Sequence, residues 1–290
     1  MKKLISIFVF IMAVLSGCEN QNNATEMITE ELNTTEAQKT VELSKADIGD
    51  IVQMGTYEQD GDPETEDPIC WDVLDKDGDA VLLISHDVIA YQRFSDSAKC
   101  VIWEDSQIRS WLNQAFYAEA FDETEQASIR ETTLENPSTV EFAAHIRPAV
   151  EVQIRESRPD TKDKIFMLSW KEAEQYYGKG LRNESVLGRR PSSAVLQKRK
   201  TLFTELLIGK FSDSSSNTLS LVDGTERLSW MLRSTGYDGI NCILVIGYDG
   251  KRSQDKAASY NGVRPAMWVI SSKGRRKCVW IENEKKLYLQ

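Results

Sequence analysis

The stretch CWDVLDKDGDAVLLIS, residues 70–85, contains two strand-like runs on either side of a tight turn. The runs are Cys70–Leu74 and Ala80–Ser85, and both are rich in large apolar side chains. Asp77-Gly78 lies between them, and an Asp-Gly pair at this place is a strong hairpin signal because glycine adopts positive φ without strain. The stretch therefore predicts an antiparallel β-hairpin near the start of the folded part of the chain.

Helical patterns follow the hairpin along the chain. In Asp105–Phe121 the apolar side chains recur at helical spacing, which predicts an amphipathic helix with one buried stripe. Asp122 with Glu125, and Ser169 with Glu172, have the spacing of capping boxes, so each pair predicts the start of a further helix. The residues of the stripe are Ile108, Trp111, Leu112, Phe116 and Phe121.

Strand-like runs lie before the hairpin, at Ile51–Tyr57, and again in the last third of the chain. Asp249-Gly250 and Lys273-Gly274 separate the later runs as turns. Short strands joined by turns predict a C-terminal antiparallel β-meander, and the fold class predicted for the whole is α+β with helices in the middle. The later runs are Trp230–Arg233, Cys242–Ile246, Val263–Ile270 and Cys278–Ile281.

The first residues have the features of an export signal. Two lysines precede the apolar run Leu4–Leu15, which is too short to span a bilayer comfortably. The sequence LSGC at 15–18 resembles the lipobox of bacterial lipoproteins, in which the cysteine sulfur receives a diacylglycerol and the chain is cut before it. We therefore predict a lipoprotein signal peptide over residues 1–17 and lipidation of Cys18. The alternative is an ordinary secretory peptide with a chance cysteine.

Residues 18–44 are polar and predict a flexible tether, because they cannot bury enough apolar surface to offset the entropy of ordering. Residues 19–44 hold six acids and one lysine, a net charge of −5. Residues 1–17 carry +2, so −7 of the chain's −10 falls on residues 45–290. This charge argues against nucleic acid as a partner. The predicted partner is the membrane, reached through the lipid, with the folded part on the extracytoplasmic side.

Residues 45–290 are predicted to form one domain, because neither a repeat nor a linker-like segment divides them. Four cysteines remain besides Cys18, and outside the cytoplasm they permit disulfides in three possible pairings. Buried thiols are an equally supported alternative, because the spacings are long and two of the cysteines adjoin tryptophans. The four are Cys70, Cys100, Cys242 and Cys278.

Catalytic and metal-binding motifs are sparse. His86 and His145 stand in unrelated contexts, so structural or surface roles are favoured for both. The acidic loop Asp60–Asp67 lacks the ligand spacing of a calcium loop, which favours an ordinary solvated loop. Ser253–Lys256 matches an S-x-x-K string without its partner motifs. We predict no catalytic residue, no metal and no cofactor.

Tryptophans and arginines are the residues best suited to hold a ligand, since tryptophans stack on sugar rings and arginines bind carboxylates. In strands and in an amphipathic helix, however, most tryptophans belong to the core, and an arginine can satisfy an internal acid or buried carbonyls. We favour this second interpretation. The residues concerned are Trp103, Trp111, Trp230 and Trp268, with Arg109, Arg233 and Arg264.

Eight ordered segments resemble one bacterial family, the domain of unknown function 6273, and they cover nearly all of residues 49–270. Among them are Gly49–Asp60, Trp230–Ser234 and Gly262–Trp268. The resemblance implies no activity, because none is established for the family. Its closing pattern is similar to the end of C-type-lectin-like domains, which implies a C-type-lectin-like fold. Thr235 departs from the family pattern, which usually has proline there.

These observations predict a membrane-anchored binding module for a glycan, a cell-wall fragment or a protein. The loops predicted to carry the contacts are residues 211–227 and 248–261. One alternative is a carboxylate-based hydrolase of the cell envelope, which requires two close acids, one with a raised pKa. Another is a structural part of an envelope complex, which requires a contiguous apolar patch. The residues predicted to be exposed there and to bind the ligand are Tyr248, Asp249, Tyr260 and Asn261.

Overall fold

Two five-stranded sheets, three two-stranded sheets and a few short helices make up the described part of the chain. The structure is a computed structural model and describes residues 40–60, 62, 64–96, 102–136, 158–178, 220–222, 225–236, 242–271 and 277–279. These residues belong to one compact unit.

The strands are β1 (Thr40–Glu42), β2 (Ile51–Tyr57), β3 (Asp67–Asp77), β4 (Ala80–Ser85), β5 (Ala90–Arg93), β6 (Ile129–Arg130), β7 (Thr132–Asn136), β8 (Arg158–Asp163), β9 (Ser220–Val222), β10 (Thr225–Arg227), β11 (Trp230–Thr235), β12 (Cys242–Ile246), β13 (Arg252–Lys256), β14 (Tyr260–Val263), β15 (Ala266–Ile270) and β16 (Lys277–Val279). The helices are α1 (Gln107–Trp111), a π-helical stretch (Leu112–Phe116), α2 (Tyr117–Ala120), α3 (Glu123–Ser128) and α4 (Trp170–Tyr177), with 3-10 turns at Leu43–Lys45 and Trp103–Asp105.

The first sheet has the strand order β2-β3-β4-β15-β6 and is antiparallel. The predicted hairpin forms its centre, with Trp71 opposite Ser85 and Asp77 opposite Ala80. Gly78 turns the chain with a φ of +61°, as the Asp-Gly pair predicts. All six residues of β4 are buried, so this strand lies in the middle of the core.

The second sheet has the strand order β13-β12-β11-β14-β5. Strands β11, β12 and β13 form the predicted meander, and Asp249-Gly250 makes the turn between the last two, with Gly250 at a φ of +74°. The meander ends there, because β14 lies parallel to β11 and β15 joins the first sheet. The prediction of helices in the middle followed by antiparallel strands is confirmed, although the described chain is mostly β.

The prediction that residues 248–261 form a loop is wrong, because they contain β13. None of the residues in Arg252–Lys256 is buried, and all are polar, as is common in an edge strand. The sequence therefore lacks the apolar alternation that marks a half-buried strand. Within the other predicted loop, 211–227, the pair β9–β10 is formed, and the rest lies outside the described residues.

The link between β14 and β15, Arg264-Pro265, is where the chain passes from the second sheet to the first. Arg264 is 1% exposed. Its Nη2 donates to the carbonyl of Ser85 at 2.6 Å and to Oδ2 of Asp72 at 3.2 Å, and its guanidinium lies over the ring of Trp230, 4.9 Å from the centroid. One buried cation therefore joins strands of both sheets.

The helix predicted over Asp105–Phe121 is present, with a π-helical stretch in its middle. Most of the predicted stripe is buried, and Trp111 packs against the core while half-buried. Asn113, in the π-helical stretch, donates to the carbonyl of Ile165 at 2.8 Å, and its Oδ1 accepts from the backbone N–H groups of Lys164 and Ile165 at 2.8 and 3.2 Å. This amide therefore attaches the helix to the chain that follows β8.

Gly55 lies where β2 passes closest to the end of α2. Its φ is +71°, and a Cβ atom there would lie 2.5 Å from the carbonyl oxygen of Ala120 and 2.8 Å from the ring of Phe121. Only glycine fits at this crossing without displacement of backbone.

Both later capping boxes are confirmed. Asp122 accepts from the N–H of Glu125 at 2.7 Å, and Ser169 accepts from the N–H of Glu172 at 3.2 Å. Within the described ranges, no helix has the length and apolar character needed to cross a bilayer.

The first and last described strands pair with each other. β1 lies antiparallel to β16, with Thr40 opposite Val279. The predicted tether, residues 18–44, therefore includes a strand at its end, while residues 1–39, with Cys18, lie outside the described part.

Candidate functional site

Three arginines that the sequence singled out are each paired with an acid inside the molecule. The distances are 2.6 Å from Nε of Arg109 to Asp163, 2.8 Å from Nη2 of Arg233 to Glu172, and 3.2 Å from Nη2 of Arg264 to Asp72. The prediction that an arginine can satisfy an internal acid is therefore confirmed for all three. The Asp72 carboxylate also lies 2.6 Å from Nδ1 of His86, a histidine that is 4% exposed.

Arg233 differs from the other two because it lines a cleft. It is buried in β11, and its two terminal nitrogens donate to four acceptors. Nη1 donates to the carbonyl of Met167 at 2.8 Å and to Glu172 Oε2. Nη2 donates to Glu172 Oε1 at 2.8 Å and to the carbonyl of Glu135 at 3.1 Å. Its Nε, also buried, has no partner among the described residues.

Glu172 holds this arginine and begins a helix with the same carboxylate. Oε2 accepts from the backbone N–H of Ser169 at 2.7 Å, which completes the capping box of α4. Burial raises the pKa of the Glu172 carboxyl. The charge of Arg233, with the hydrogen bonds from Arg233 and Ser169, outweighs burial and holds the pKa below its ordinary value of 4.5. Glu172 is therefore an ionised structural partner of Arg233.

Asn136, at the end of β7, lies beside Arg233, because Arg233 binds the carbonyl of the preceding residue, Glu135. Its Nδ2 donates to the carbonyl of Pro159 at 3.0 Å and to Oγ1 of Thr161 at 3.4 Å. Its Oδ1 is buried and has no partner in the described part of the chain. A donor and an acceptor, each without a partner among the described residues, thus belong to two residues that line the same cleft.

The cleft containing both residues opens to solvent, and about 350 Å³ of empty space lies in it once the open solvent at its mouth is counted. Trp103 forms part of its wall and is fixed by a 2.9 Å hydrogen bond from Nε1 to Oδ2 of the buried Asp163. Glu104 is exposed, and Thr235 is half-buried. The lining residues are Ile102, Trp103, Glu104, Asn136, Ser169, Arg233, Ser234 and Thr235.

The lining consists mainly of hydrogen-bonding groups. Hydroxyls, one amide and one exposed carboxylate surround the cleft, while its buried cation is already neutralised. The hydrolase alternative requires a raised carboxyl pKa, whereas that of Glu172 is lowered. Burial also raises the pKa of Asp249, but hydrogen bonds from Lys251 outweigh it and leave that pKa lowered.

The four predicted ligand-binding residues lie outside this cleft. Tyr248 and Asp249 form the turn between β12 and β13, both half-buried, and Asp249 is 2.9 Å from Nζ of the exposed Lys251. Tyr260 stacks on Tyr91 with the ring centroids 5.6 Å apart.

Asn261 is 0% exposed, so the prediction that it is exposed is wrong. Its Nδ2 donates to Asp255 at 3.3 Å and to the carbonyl of Ser259 at 3.5 Å. The guanidinium of Arg93 lies over Tyr260, 4.6 Å from the ring centroid. Two neighbours, Arg93 and Tyr91, therefore pack against the Tyr260 ring, which reduces the ring surface left for a sugar.

The remaining candidates are structural or lie outside the described residues. Trp103 and Trp230 are buried, and Trp111 and Trp268 are half-buried. Cys70 and Cys242 are half-buried, whereas Cys100, His145 and the side chain of Cys278 are not described.

The acidic loop brings Glu58, Asp60 and Asp67 within 4.8 Å of one another. Asp67 Oδ2 accepts from the backbone N–H groups of Gln59 and Asp60, both at 2.9 Å, so this carboxylate shapes the loop itself.

Sequence reasoning missed Asn136. It lies at the end of a strand and has no motif around it, so only the position of its amide beside Arg233 distinguishes it.

A family model described as "Domain of unknown function (DUF6273)" matches residues 78–271. The match runs from the turn of the central hairpin to the end of β15 and includes every residue that lines the cleft. No curated protein and no solved structure matches the chain.

Proposed function

The chain belongs to the DUF6273 family, and since the description of that family assigns no function, we propose from the cleft that the protein is a ligand-binding module. In this proposal the cleft beside Arg233 and Asn136 receives a polar group of an extracellular glycan, cell-wall fragment or protein. A lipid on Cys18 holds the module at the outer face of the cytoplasmic membrane.

One observation carries the proposal, the unused hydrogen-bonding capacity of Arg233 Nε and Asn136 Oδ1. A buried polar atom without a partner costs about 1–3 kcal/mol, so proteins keep few of them. Both residues line one cleft. A ligand group that enters the cleft and shifts the lining slightly would satisfy both atoms, which is the support for a binding role.

The fold proposed for the module is C-type-lectin-like, with irregular segments carried by antiparallel strands. Helices between the strands and the pairing of β1 with β16 support it. An experimental structure tests this part, and a core without C-type-lectin topology would overturn it.

The binding role is tested with the chain from residue 19 and two matched variants. Thr235→Phe places a bulky ring in the cleft, and Thr133→Phe places the same ring on an exposed position of β7. Peptidoglycan fragments and oligosaccharides are screened by isothermal titration calorimetry. We expect at least one to bind the parent chain and Thr133→Phe alike, and to bind Thr235→Phe at least tenfold more weakly. Equal binding by all three chains would reject the cleft as the site.

A further inference from the structure

We propose that the cleft selects an uncharged, hydroxyl-bearing saccharide over an anionic one. This inference rests on the proposed function, because it assigns a ligand class to the same cleft. It follows from the number of donors and acceptors left unused and from the charges around them.

Arg233 has one N–H donor left for a ligand. A carboxylate or phosphate binds arginine best through two parallel N–H donors. Nη1 and Nη2 of Arg233 already donate to Glu172, Met167 and Glu135, so only the single N–H of Nε remains. One N–H suits one neutral acceptor oxygen, such as a sugar hydroxyl, and cannot form the two-pronged contact that favours an anion.

The side-chain amide of Asn136 limits which ligand groups can bind beside it. Asn136 uses its Nδ2 for Pro159 and Thr161, which leaves only an acceptor, Oδ1, for a ligand. An ionised carboxylate has no proton to donate to it. A hydroxyl both donates and accepts, so one hydroxyl or two adjacent ones can satisfy Asn136 and Arg233 together.

The charges around the cleft disfavour an anionic ligand. The positive charge of Arg233 is balanced by Glu172, and Glu104 adds an exposed carboxylate to the lining. An anionic ligand therefore meets the negative charge of Glu104, while the one cation among the described lining residues, Arg233, is already paired with Glu172. Its binding would also be salt-dependent, whereas that of a neutral ligand is nearly independent of salt.

A saccharide is favoured over a peptide because three of the eight lining residues, Ser169, Ser234 and Thr235, carry hydroxyls, while the one large aromatic, Trp103, is 2% exposed. The hydroxyl of the half-buried Thr235 is the most accessible of the three, because Ser169 and Ser234 are buried and accept from the backbone N–H groups of Glu172 and Trp170. Such a surface offers hydrogen bonds and little apolar area for a peptide side chain.

The experiment compares three probes on the chain from residue 19: the neutral N-acetylglucosamine tetramer, the anionic galacturonic acid tetramer and an uncharged capped tetrapeptide. Calorimetric titrations at 50 and 300 mM NaCl are repeated with the variants Asn136→Leu, Thr235→Phe and Glu104→Gln. The control is Glu131→Gln, which changes an exposed acid between β6 and β7. Thermal unfolding of each variant reports whether it is folded.

We expect the neutral tetramer to bind at least tenfold more tightly than the acidic one, with less than a twofold effect of salt. Asn136→Leu should weaken it at least tenfold, and Thr235→Phe should abolish binding. Glu104→Gln should narrow the preference over the acidic tetramer, while Glu131→Gln should leave it unchanged.

Tighter binding of the acidic tetramer or of the peptide, blocked by Thr235→Phe, would overturn the inference and leave the cleft as a binding site. Absence of any probe that Thr235→Phe blocks would reject both the inference and the proposed function. Neutral binding that Asn136→Leu leaves unchanged in a folded variant would also overturn the inference.

Discussion

Replacement of Glu172 by glutamine tests the buried pair that shapes the cleft. Glutamine at this position of a capping box still caps a helix, so the variant mainly removes the charge that balances Arg233. The arginine side chain is 2% exposed and that of Glu172 is 26% exposed. Loss of one partner of a buried pair costs about 3–5 kcal/mol, and the partial exposure of Glu172 places the expected cost at the lower end, about 3 kcal/mol.

Unfolding in urea and by heat measures this cost. For a domain of this size, about 3 kcal/mol corresponds to a fall of about 6–12 °C in Tm. The matched control is Glu125→Gln, which alters the capping box of α3, where the carboxylate accepts from the backbone N–H groups of Gly55 and Asp122. We expect the control to lose about 1 kcal/mol.

The pH dependence gives a second readout. Because the folded pKa of Glu172 lies below its ordinary 4.5, its contribution to stability is present above that pH and is lost as pH falls through the lower, folded value. Glu172→Gln should therefore lose less stability than the parent chain between pH 5 and pH 3. If Glu172→Gln were no less stable than Glu125→Gln at pH 7, the buried charge pair would not stabilise the fold as argued.

Three further predictions concern the fold and the anchor. Asn113→Ala should lower the free energy of unfolding by about 3 kcal/mol, because two backbone N–H groups lose their acceptor. The control Gln114→Ala changes an exposed residue of the same turn and should alter that free energy by less than about 0.5 kcal/mol. Equal losses for the two variants in urea titrations would refute this. Gly55→Ala should lower the free energy of unfolding by about 3 kcal/mol or more, because the new Cβ atom is strained at positive φ and overlaps with backbone. Gly78→Ala is also at positive φ but has nothing within 4 Å, so it should lower that free energy by about 1 kcal/mol. Similar melting temperatures for the two variants would contradict the close contact at Gly55. Metabolic labelling with a radioactive fatty acid should mark the parent chain and not Cys18→Ser, and label retained in the variant would exclude acylation of that thiol.

Local signals in the sequence predicted the elements they mark. The Asp77-Gly78 turn, the two capping boxes and the Asp249-Gly250 turn all depend on residues within a few positions of one another, and each is present. Strand β13 was missed because an edge strand with polar residues on both faces has no apolar period to detect.

The cleft could not be predicted in the same way. Arg233 and Glu172 are 61 residues apart, and Arg264 and Asp72 are 192 apart. Sequence identifies such residues as able to pair but does not show which ones meet, because that depends on the crossing of the chain between sheets. Asn136 is harder to predict, because it stands out only through its buried Oδ1, which has no partner among the described residues.

The pairing of β1 with β16 also makes the fold suitable for circular permutation. Facing Cα atoms in antiparallel strands are about 4.5–5.5 Å apart, so Thr40 and Val279 lie close enough for a short linker to join them. This two-stranded sheet therefore brings the first and last described strands together. A circularly permuted chain, opened at the Gly78 turn, should melt cooperatively, and failure to do so would mean that the natural starting point guides folding.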